Sequence, residues 1–400
     1  MFECLRVSLL AGALALLVSA GTASGGFPGR AGKIAFTSDR SGFEEVVAMD
    51  VDGANRGVVV TAPAIDPAWS PDGTQIAYVR GARSPAVFVA NADGLRERRI
   101  AEGATPAWSP DGSRLVVSRR TAGGADLWVI DVATGRERRL ARTEKPEREP
   151  EWSPDGRTIA FVRTEVRGGD EIYTVRPNGR GLRRLTRSPH DDFGPAWSPD
   201  ATQIAFVRHD EDRADAALYV MAADGGGQRP LGKALTLDPA ASFAGGPAWS
   251  PDGRRILLAR GARLYSDLYL FAADGRFARR MTENAKDQVT ERSPSWQPVC
   301  TVRGTEDADV LTGTRKADVV CGLGGDDTIR SLAGGDVVIG GEGDDRIDGG
   351  AGRDRLFGSA GSDTLLARDR VRDVVDGGPG GDAGQMDPRR DLRQSIESRG

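Results

Sequence analysis

Short apolar runs with no internal polar alternation recur along the first three quarters of the chain: Ile34-Ala35-Phe36, Ile76 to Val79, Leu115 to Val117, Ile159 to Val162, Ile204 to Val207 and Ile256 to Ala259. A strand with one wet face alternates, so runs of this kind predict strands buried on both faces, as stacked sheets provide. All but the first follow one phrase, Pro-x-Trp-Ser-Pro-Asp-Gly, at 67–73, 106–112, 150–156, 195–201 (with Ala201 in the last place) and 247–253; it returns truncated at Pro294, Trp296 and Pro298. Ser-Pro-Asp-Gly is a turn with a mechanism: Pro presets φ, Asp bonds its own backbone, and Gly accepts the exit conformation. The Pro two places before each Trp predicts an edge strand, because Pro lacks the amide that a central strand needs. Asp-Gly and Asn-Gly pairs such as Asp52-Gly53, Asp93-Gly94, Asn178-Gly179 and Asp274-Gly275 then separate apolar runs and predict hairpins, which makes about four strands per unit.

The steps between successive Trp residues are 39, 44, 45, 52 and 47 residues, a period that signals stacked supersecondary units. Ile34-Ala35-Phe36 stands before any Pro-x-Trp, and the sixth Pro-x-Trp at 294–296 has no apolar run after it, so the two ends are expected to complete one unit and close a ring of six. The phrase resembles the TolB-like propeller repeat, a relative of the WD-type blade, over roughly residues 30–299. The resemblance implies an all-β fold that begins with a six-bladed β-propeller. The α/β domain that precedes the propeller in periplasmic TolB has no counterpart in this pattern, so the resemblance does not carry a Tol-system role.

From Gly304 a second pattern begins. Asp309, Asp318, Asp327, Asp336, Asp345, Asp354 and Asp363 recur every nine residues, each followed two positions later by an aliphatic, Leu311 to Leu365. This Gly-Gly-x-Gly-x-Asp-x-aliphatic-x repeat resembles the RTX, or haemolysin-type, calcium-binding nonapeptide over residues 304–366. The best copies are 340–348 and 349–357; the first two, with Asp307 and Lys316 where Gly belongs, read as a cap. The resemblance implies a parallel β-roll in which alternate repeats stack, so Asp side chains eighteen residues apart converge and bind Ca²⁺. The implied metal residues are Asp327, Asp336, Asp345, Asp354 and Asp363, paired as Asp327/Asp345, Asp336/Asp354 and Asp345/Asp363. Glycines would let backbone carbonyls complete the flexible oxygen shell that Ca²⁺ prefers. From residue 303 onward 20 Asp+Glu stand against 14 Lys+Arg, an excess of negative charge that bound calcium would offset. After Leu366 the period fails, and residues 367–400 read as an end cap and polar tail.

Composition adds a location. Residues 1–24 read as a secretory signal peptide: Arg6, an apolar stretch from Leu9 to Val18, then small residues to Ala20 or Ala23. A retained anchor is the alternative, but Gly and Ser interrupt a run that would need roughly 20 apolar residues to span. No other segment is apolar enough, so no stable membrane span is expected after processing. Removing Cys4 with the signal leaves Cys300 and Cys321, an even number in an oxidising compartment, expected to form a disulfide across the domain boundary rather than stay as thiols. The expected location is secreted, extracellular or in the cell envelope. A formal charge of -4 does not suggest nucleic-acid binding.

Candidate chemistry is sparse. Only His190 and His209 are present, which excludes His-rich metal sites, and no Gly-x-Ser-x-Gly elbow occurs. Arg80, Arg119, Arg163, Arg208 and Arg260 each follow the apolar run of their unit, with Asp39 near the corresponding place in the first; equivalent positions in a ring would set them around one rim. Such a rim could attract an anionic polymer or acidic partner. The blander reading is strand-end arginines paired with loop carboxylates. Together these features describe an exported, calcium-binding, non-enzymatic propeller protein whose partner is an envelope or extracellular protein or polymer. The rival reading is a hydrolase or lyase acting on an extracellular polymer through the propeller channel.

Overall fold

The computed structural model describes residues 26–400 except 123, 141–144, 166–168, 211–214, 232–241, 244, 263–264, 285, 388–389, 397 and 400; the signal peptide expected over residues 1–24 lies outside the described residues. Every element among the described residues is a strand. No helix among the described residues is long and apolar enough to cross a membrane.

Six antiparallel sheets form the propeller. Each apolar run is the second strand of its blade, flanked by the Pro-x-Trp strand inside and a hairpin partner outside: Ile65–Trp69, Gln75–Arg80, Ala86–Asn91 and Arg98–Glu102 make one blade in that order. The ring closes as the ends of the pattern suggest. Glu291–Val299 pairs antiparallel with Arg30–Ser38, setting Trp296 opposite Ile34, so the last propeller strand is the innermost strand of the first blade. Burial on both faces explains the runs. Ala77, Val79, Val87 and Val89 of one blade pack against Trp108, Leu115, Val117 and Ile130 of the next. The indole N–H of Trp108 donates to the Ala68 carbonyl of the preceding blade at 3.0 Å, and that of Trp296 to the Ala248 carbonyl at 3.2 Å.

The innermost strands carry a bulge that the sequence pattern does not announce. The residues before the phrase's first Pro in four blades, Asp66, Thr105, Glu149 and Ser293, have φ of 53°, 52°, 51° and 52°. Pairing with the second strand slips at the same place, between Ile65 and Ala68, Ala104 and Ala107, and Arg148 and Glu151. A bulge turns the Pro away from the ladder bond it cannot make.

Two parallel six-stranded sheets follow, about five turns of a solenoid. One sheet is built from Val302–Arg303, Val319–Gly324, Val337–Glu342, Arg355–Ala360, Val374–Asp376 and Leu392–Gln394; the other runs from Val310–Thr312 to Ser398–Arg399. Val320, Val338, Leu356 and Val375 of the first face Ile329, Ile347 and Leu365 of the second in one apolar core. The solenoid does not stop at residue 366: Val374–Asp376 pairs with Arg355–Ala360, and Ala383–Met386 with Thr364–Ala367. This corrects the reading of residues 367–400 as a cap and tail. One inserted residue makes the step nineteen instead of eighteen, which breaks the printed period and leaves the stacking intact. Residues 377–385 are in fact another nonapeptide, with Gly384 in the aliphatic place.

Candidate metal centre

Each repeat places its Asp at the entrance to a strand, where the chain turns from one sheet to the other. Two ladders result, one along each edge of the roll. On the first, the amides of Asp309, Asp327, Asp345 and Asp363 donate to Oδ1 of Asp327, Asp345, Asp363 and Asp382 at 2.7 to 2.9 Å. On the second, the amides of Asp318, Asp336, Asp354 and Asp373 donate to Oδ1 of Asp336, Asp354, Asp373 and Asp391 at 2.8 to 3.1 Å. The expected residues therefore divide as Asp327, Asp345 and Asp363 on one edge and Asp336 and Asp354 on the other. Asp373, Asp382 and Asp391 belong to the same ladders and were hidden by the one-residue slip.

Oδ1 is satisfied by the fold; Oδ2 is what distinguishes the copies. In the first two, Thr305 and Thr314 donate amide and hydroxyl to Oδ2 of Asp309 and Asp318 at 2.6 to 2.8 Å. In the later copies that place holds Leu323, Leu332, Gly341, Gly350 and Ser359; the first four have no hydroxyl, and Ser359 gives its own to the Asp111 carbonyl. Oδ2 of Asp327, Asp336, Asp345 and Asp363 is buried with no hydrogen-bond partner. A buried carboxylate oxygen without a donor is costly unless a cation or proton meets it. Burial, reinforced by the carboxylates of Asp363 and Asp327 one turn away on either side, pushes the Asp345 carboxyl up to about 7, against the pull of the Asp327 amide. Burial pushes Asp354 and Asp363 up to about 7 as well.

The space facing these oxygens is built for a cation. A Cβ on Gly340 would lie 2.2 Å from Asp345 Oδ2 and 2.6 Å from the Gly358 carbonyl oxygen; on Gly358 it would lie 2.2 Å from Asp363 Oδ2 and 2.6 Å from the Gly377 carbonyl. Carboxylate and carbonyl oxygens of adjacent turns thus converge on room left by an absent side chain. Among the described residues no three carboxylate, thiolate or imidazole groups gather at one point. Any ion held here takes most of its shell from backbone carbonyls, a donor set suited to a hard cation. The donors fit Ca²⁺.

Elsewhere the predicted residues are committed to structure. Cys300, just beyond the closing strand, is disulfide-bonded to Cys321 in the roll. The five arginines stand at equivalent strand ends, each guanidinium over an aromatic ring: Arg119 lies 4.5 Å from the Trp128 centroid and Arg260 5.6 Å from that of Tyr269. Arg80 pairs with Glu97 at 2.7 Å, Arg119 with Glu137 at 2.8 Å, Arg208 with Asp192 at 2.6 Å and Arg163 with Glu165 at 3.8 Å. Acids near the propeller axis are likewise engaged. Glu149, pushed up to about 7 by burial, accepts from the Gly194 amide at 2.8 Å and pairs with Arg148; Asp66 accepts from Ser293 at 2.8 Å.

Comparison with known proteins agrees with this division. Residues 303–338 and 332–365 match the RTX calcium-binding nonapeptide repeat (4 copies). The Tol-Pal system protein TolB of Bordetella pertussis is 33% identical over 162 residues, 37% of this chain and 35% of that one. The Protein TolB homolog of Chlorobium chlorochromatii is 30% identical over 142 residues, 32% and 31% respectively. The match thus spans about a third of the length of each relative. Among solved structures, TolB from Acinetobacter baumannii aligns with 67% of each chain at 22% identity and a TM-score of 0.57. Kuenenia stuttgartiensis hydrazine synthase aligns with 68% of this chain and 47% of that one at 15% and 0.55, a likeness of fold alone. Residues 24–300 match the model of the TolB beta propeller domain, and the chain belongs to that family.

Proposed function

We propose that this is an exported calcium-binding protein of the cell envelope or extracellular space, in which the propeller binds an envelope protein or polymer and the roll holds Ca²⁺. One observation carries the calcium reading: the row of buried, donorless Oδ2 atoms at Asp327, Asp345 and Asp363, each facing a carbonyl of the adjacent turn across a glycine. Bound calcium supplies positive charge at those oxygens and nothing else. Asp345 and Asp363 with the Gly358 and Gly377 carbonyls would hold it on one edge; Asp336 and Asp354 serve the other. Binding rather than catalysis is supported by the axial acids, whose oxygens are engaged by Arg148, Ser293 and the Gly194 amide. The Cys300–Cys321 bridge and the names of the Tol-Pal relatives support an extracytoplasmic setting.

Calorimetric titration of the chelator-treated full chain tests the calcium reading. Millimolar Ca²⁺ is expected to bind with release of protons, Mg²⁺ at the same concentration is not, and Asp345→Asn is expected to lose at least one site where Asp309→Asn loses none. Equal loss from both variants, or no heat with calcium, would refute it. Capture from envelope fractions on the immobilised calcium-loaded protein then tests the partner class, with recovery of soluble cytoplasmic proteins alone counting against an envelope ligand.

A further inference from the structure

The two sheets of the roll differ on their outer faces. In the sheet that contains Val310–Thr312 the outward positions include Thr312, Arg330 and Arg346, all exposed, and Val310 is 82% exposed. In the other sheet the outward columns read Val319, Val337, Arg355, Val374 and Cys321, Ile339, Phe357, Asp376. They are apolar for the most part, and Phe357 is 1% exposed although it points away from the roll's own core.

What covers that face is the propeller. Val319, Val337, Ile339 and Phe357 line a narrow gap whose opposite wall is Phe27, Pro28 and the turn prolines Pro71, Pro110 and Pro154. The Ser-Pro-Asp-Gly turns all leave the innermost strands at one end of the axial channel, where a propeller ordinarily meets solvent. Here Pro71, Pro110, Pro154, Pro199 and Pro251 are all buried. Polar contacts fix the register of the contact. Arg355, half-buried, donates to the Pro199 carbonyl at 2.7 Å, and the charges of Asp155 and Asp200 partly offset the desolvation of its guanidinium. Ser359 donates to the Asp111 carbonyl at 3.0 Å, and Asp376 lies 4.0 Å from Arg114. The segment at 26–28 is clamped beneath the roll, with the Gly26 amide on the Trp197 carbonyl at 3.1 Å and Phe27 packed beside Ala68 and Trp108.

We propose that the roll is a calcium-set cap on this mouth of the propeller channel. The inference rests on the calcium reading of the roll. With calcium bound, the ordered face of Val319, Val337, Ile339 and Phe357 covers Pro71, Pro110 and Pro154, while an open cavity lined by Pro28, Pro199, Pro251 and Arg355 remains at the other side of the mouth. Losing the ion destabilises the roll, because its carboxylates are left crowded and unmatched. The same event uncovers Phe27 and the ring of turn prolines, an apolar patch of the kind that recruits partners. The calcium state of the roll is thereby passed to the propeller surface.

Hydroxyl-radical footprinting of the oxidised full chain, in millimolar Ca²⁺ and in chelator, tests this with native side chains. Leu356, in the roll core, reports whether the roll is folded; Phe27 reports the cap; Phe43, 71% exposed, normalises the dose. Leu356 and Phe27 are both expected to oxidise at least fivefold faster in chelator. If Leu356 responds and Phe27 does not, the cap is overturned while the calcium reading stands. If neither responds, the calcium reading falls and the cap with it. In Ile339→Asp the roll is expected to keep its calcium response at Leu356 while Phe27 reacts fast in both conditions. Should that roll fail to fold, Arg355→Ala leaves the apolar face intact and is expected to raise Phe27 oxidation in calcium at least twofold; an unchanged rate in a folded Arg355→Ala roll counts against the cap.

Discussion

A single side-chain position decides whether an Asp of the roll needs a cation. Where Thr305 and Thr314 stand, four places before the Asp, the carboxylate finds its donors in the protein; where Leu323, Gly341 and Ser359 stand, it does not. Gly340→Ala is expected to abolish calcium binding at Asp345, because the new Cβ would fall 2.2 Å from Oδ2 in a place where Gly340 itself has an ordinary φ. Gly57→Ala, with nothing within 4 Å, should bind calcium like the parent in the same titration. The raised carboxyls also set a pH dependence. Asp345, Asp354 and Asp363 sit near about 7 in the metal-free fold, against about 4 when unfolded. Folding then favours the protonated form: its contribution is fully present below pH about 4 and is lost as pH rises through about 7. In chelator the roll should resist urea better at pH 4.5 than at pH 7.5, read at Leu356 by footprinting. With calcium the order should reverse, since the ligand is the carboxylate. The Asp register was plain in the repeat. Which oxygens lack donors was not, because that depends on the amide of the turn below taking Oδ1 and leaving Oδ2 alone.

At the level of strands, the apolar runs, the turns and the closing pair follow from pattern because each reports burial or backbone chemistry directly. The bulge before the inner Pro does not: Asp66, Thr105, Glu149 and Ser293 share a left-handed backbone and no residue type. The end of the roll was misread for a related reason. A nonapeptide count treats one extra residue as a break, whereas a parallel sheet absorbs it in a turn and still pairs Leu356 with Val375. The closing strand is the element on which the ring depends, since among the described residues Glu291–Val299 is the one partner on the inner side of Arg30–Ser38. Trp296 is 3% exposed in a cluster with Ile34, Phe36 and Leu257. Trp296→Ala is expected to cost about 3 to 5 kcal/mol and to lower the melting temperature of the whole propeller. Val310→Ala, on the exposed side of the roll, should leave the propeller transition where it is. Equal shifts in calorimetry would mean that the ring is not held shut at this strand.

Across the whole molecule the two folds are joined covalently at two points, the chain itself at residue 299 and the Cys300–Cys321 bridge. That bridge fixes the third strand-entry of the roll to the rim of the propeller and closes a loop of sequence separation 21. In the chain-entropy account such a crosslink favours the folded roll by about 3 kcal/mol, a factor of about 150 in its folding constant at 1.4 kcal/mol per tenfold. The propeller, closed by its own strand, gains nothing from it. Because folding and calcium binding of the roll are one equilibrium, the lost factor must reappear as a higher calcium requirement. Spread over the three carboxylate pairs Asp327/Asp345, Asp336/Asp354 and Asp345/Asp363, it raises the midpoint about fivefold. The double variant Cys300→Ser/Cys321→Ser is accordingly expected to shift the calcium midpoint of Leu356 protection upward by about fivefold, with the propeller melting temperature in saturating calcium unchanged. A shift of similar size in the reduced parent would identify the bridge, rather than the substitutions, as the cause. A variant that loses propeller stability instead would show that the crosslink supports the ring and not the roll.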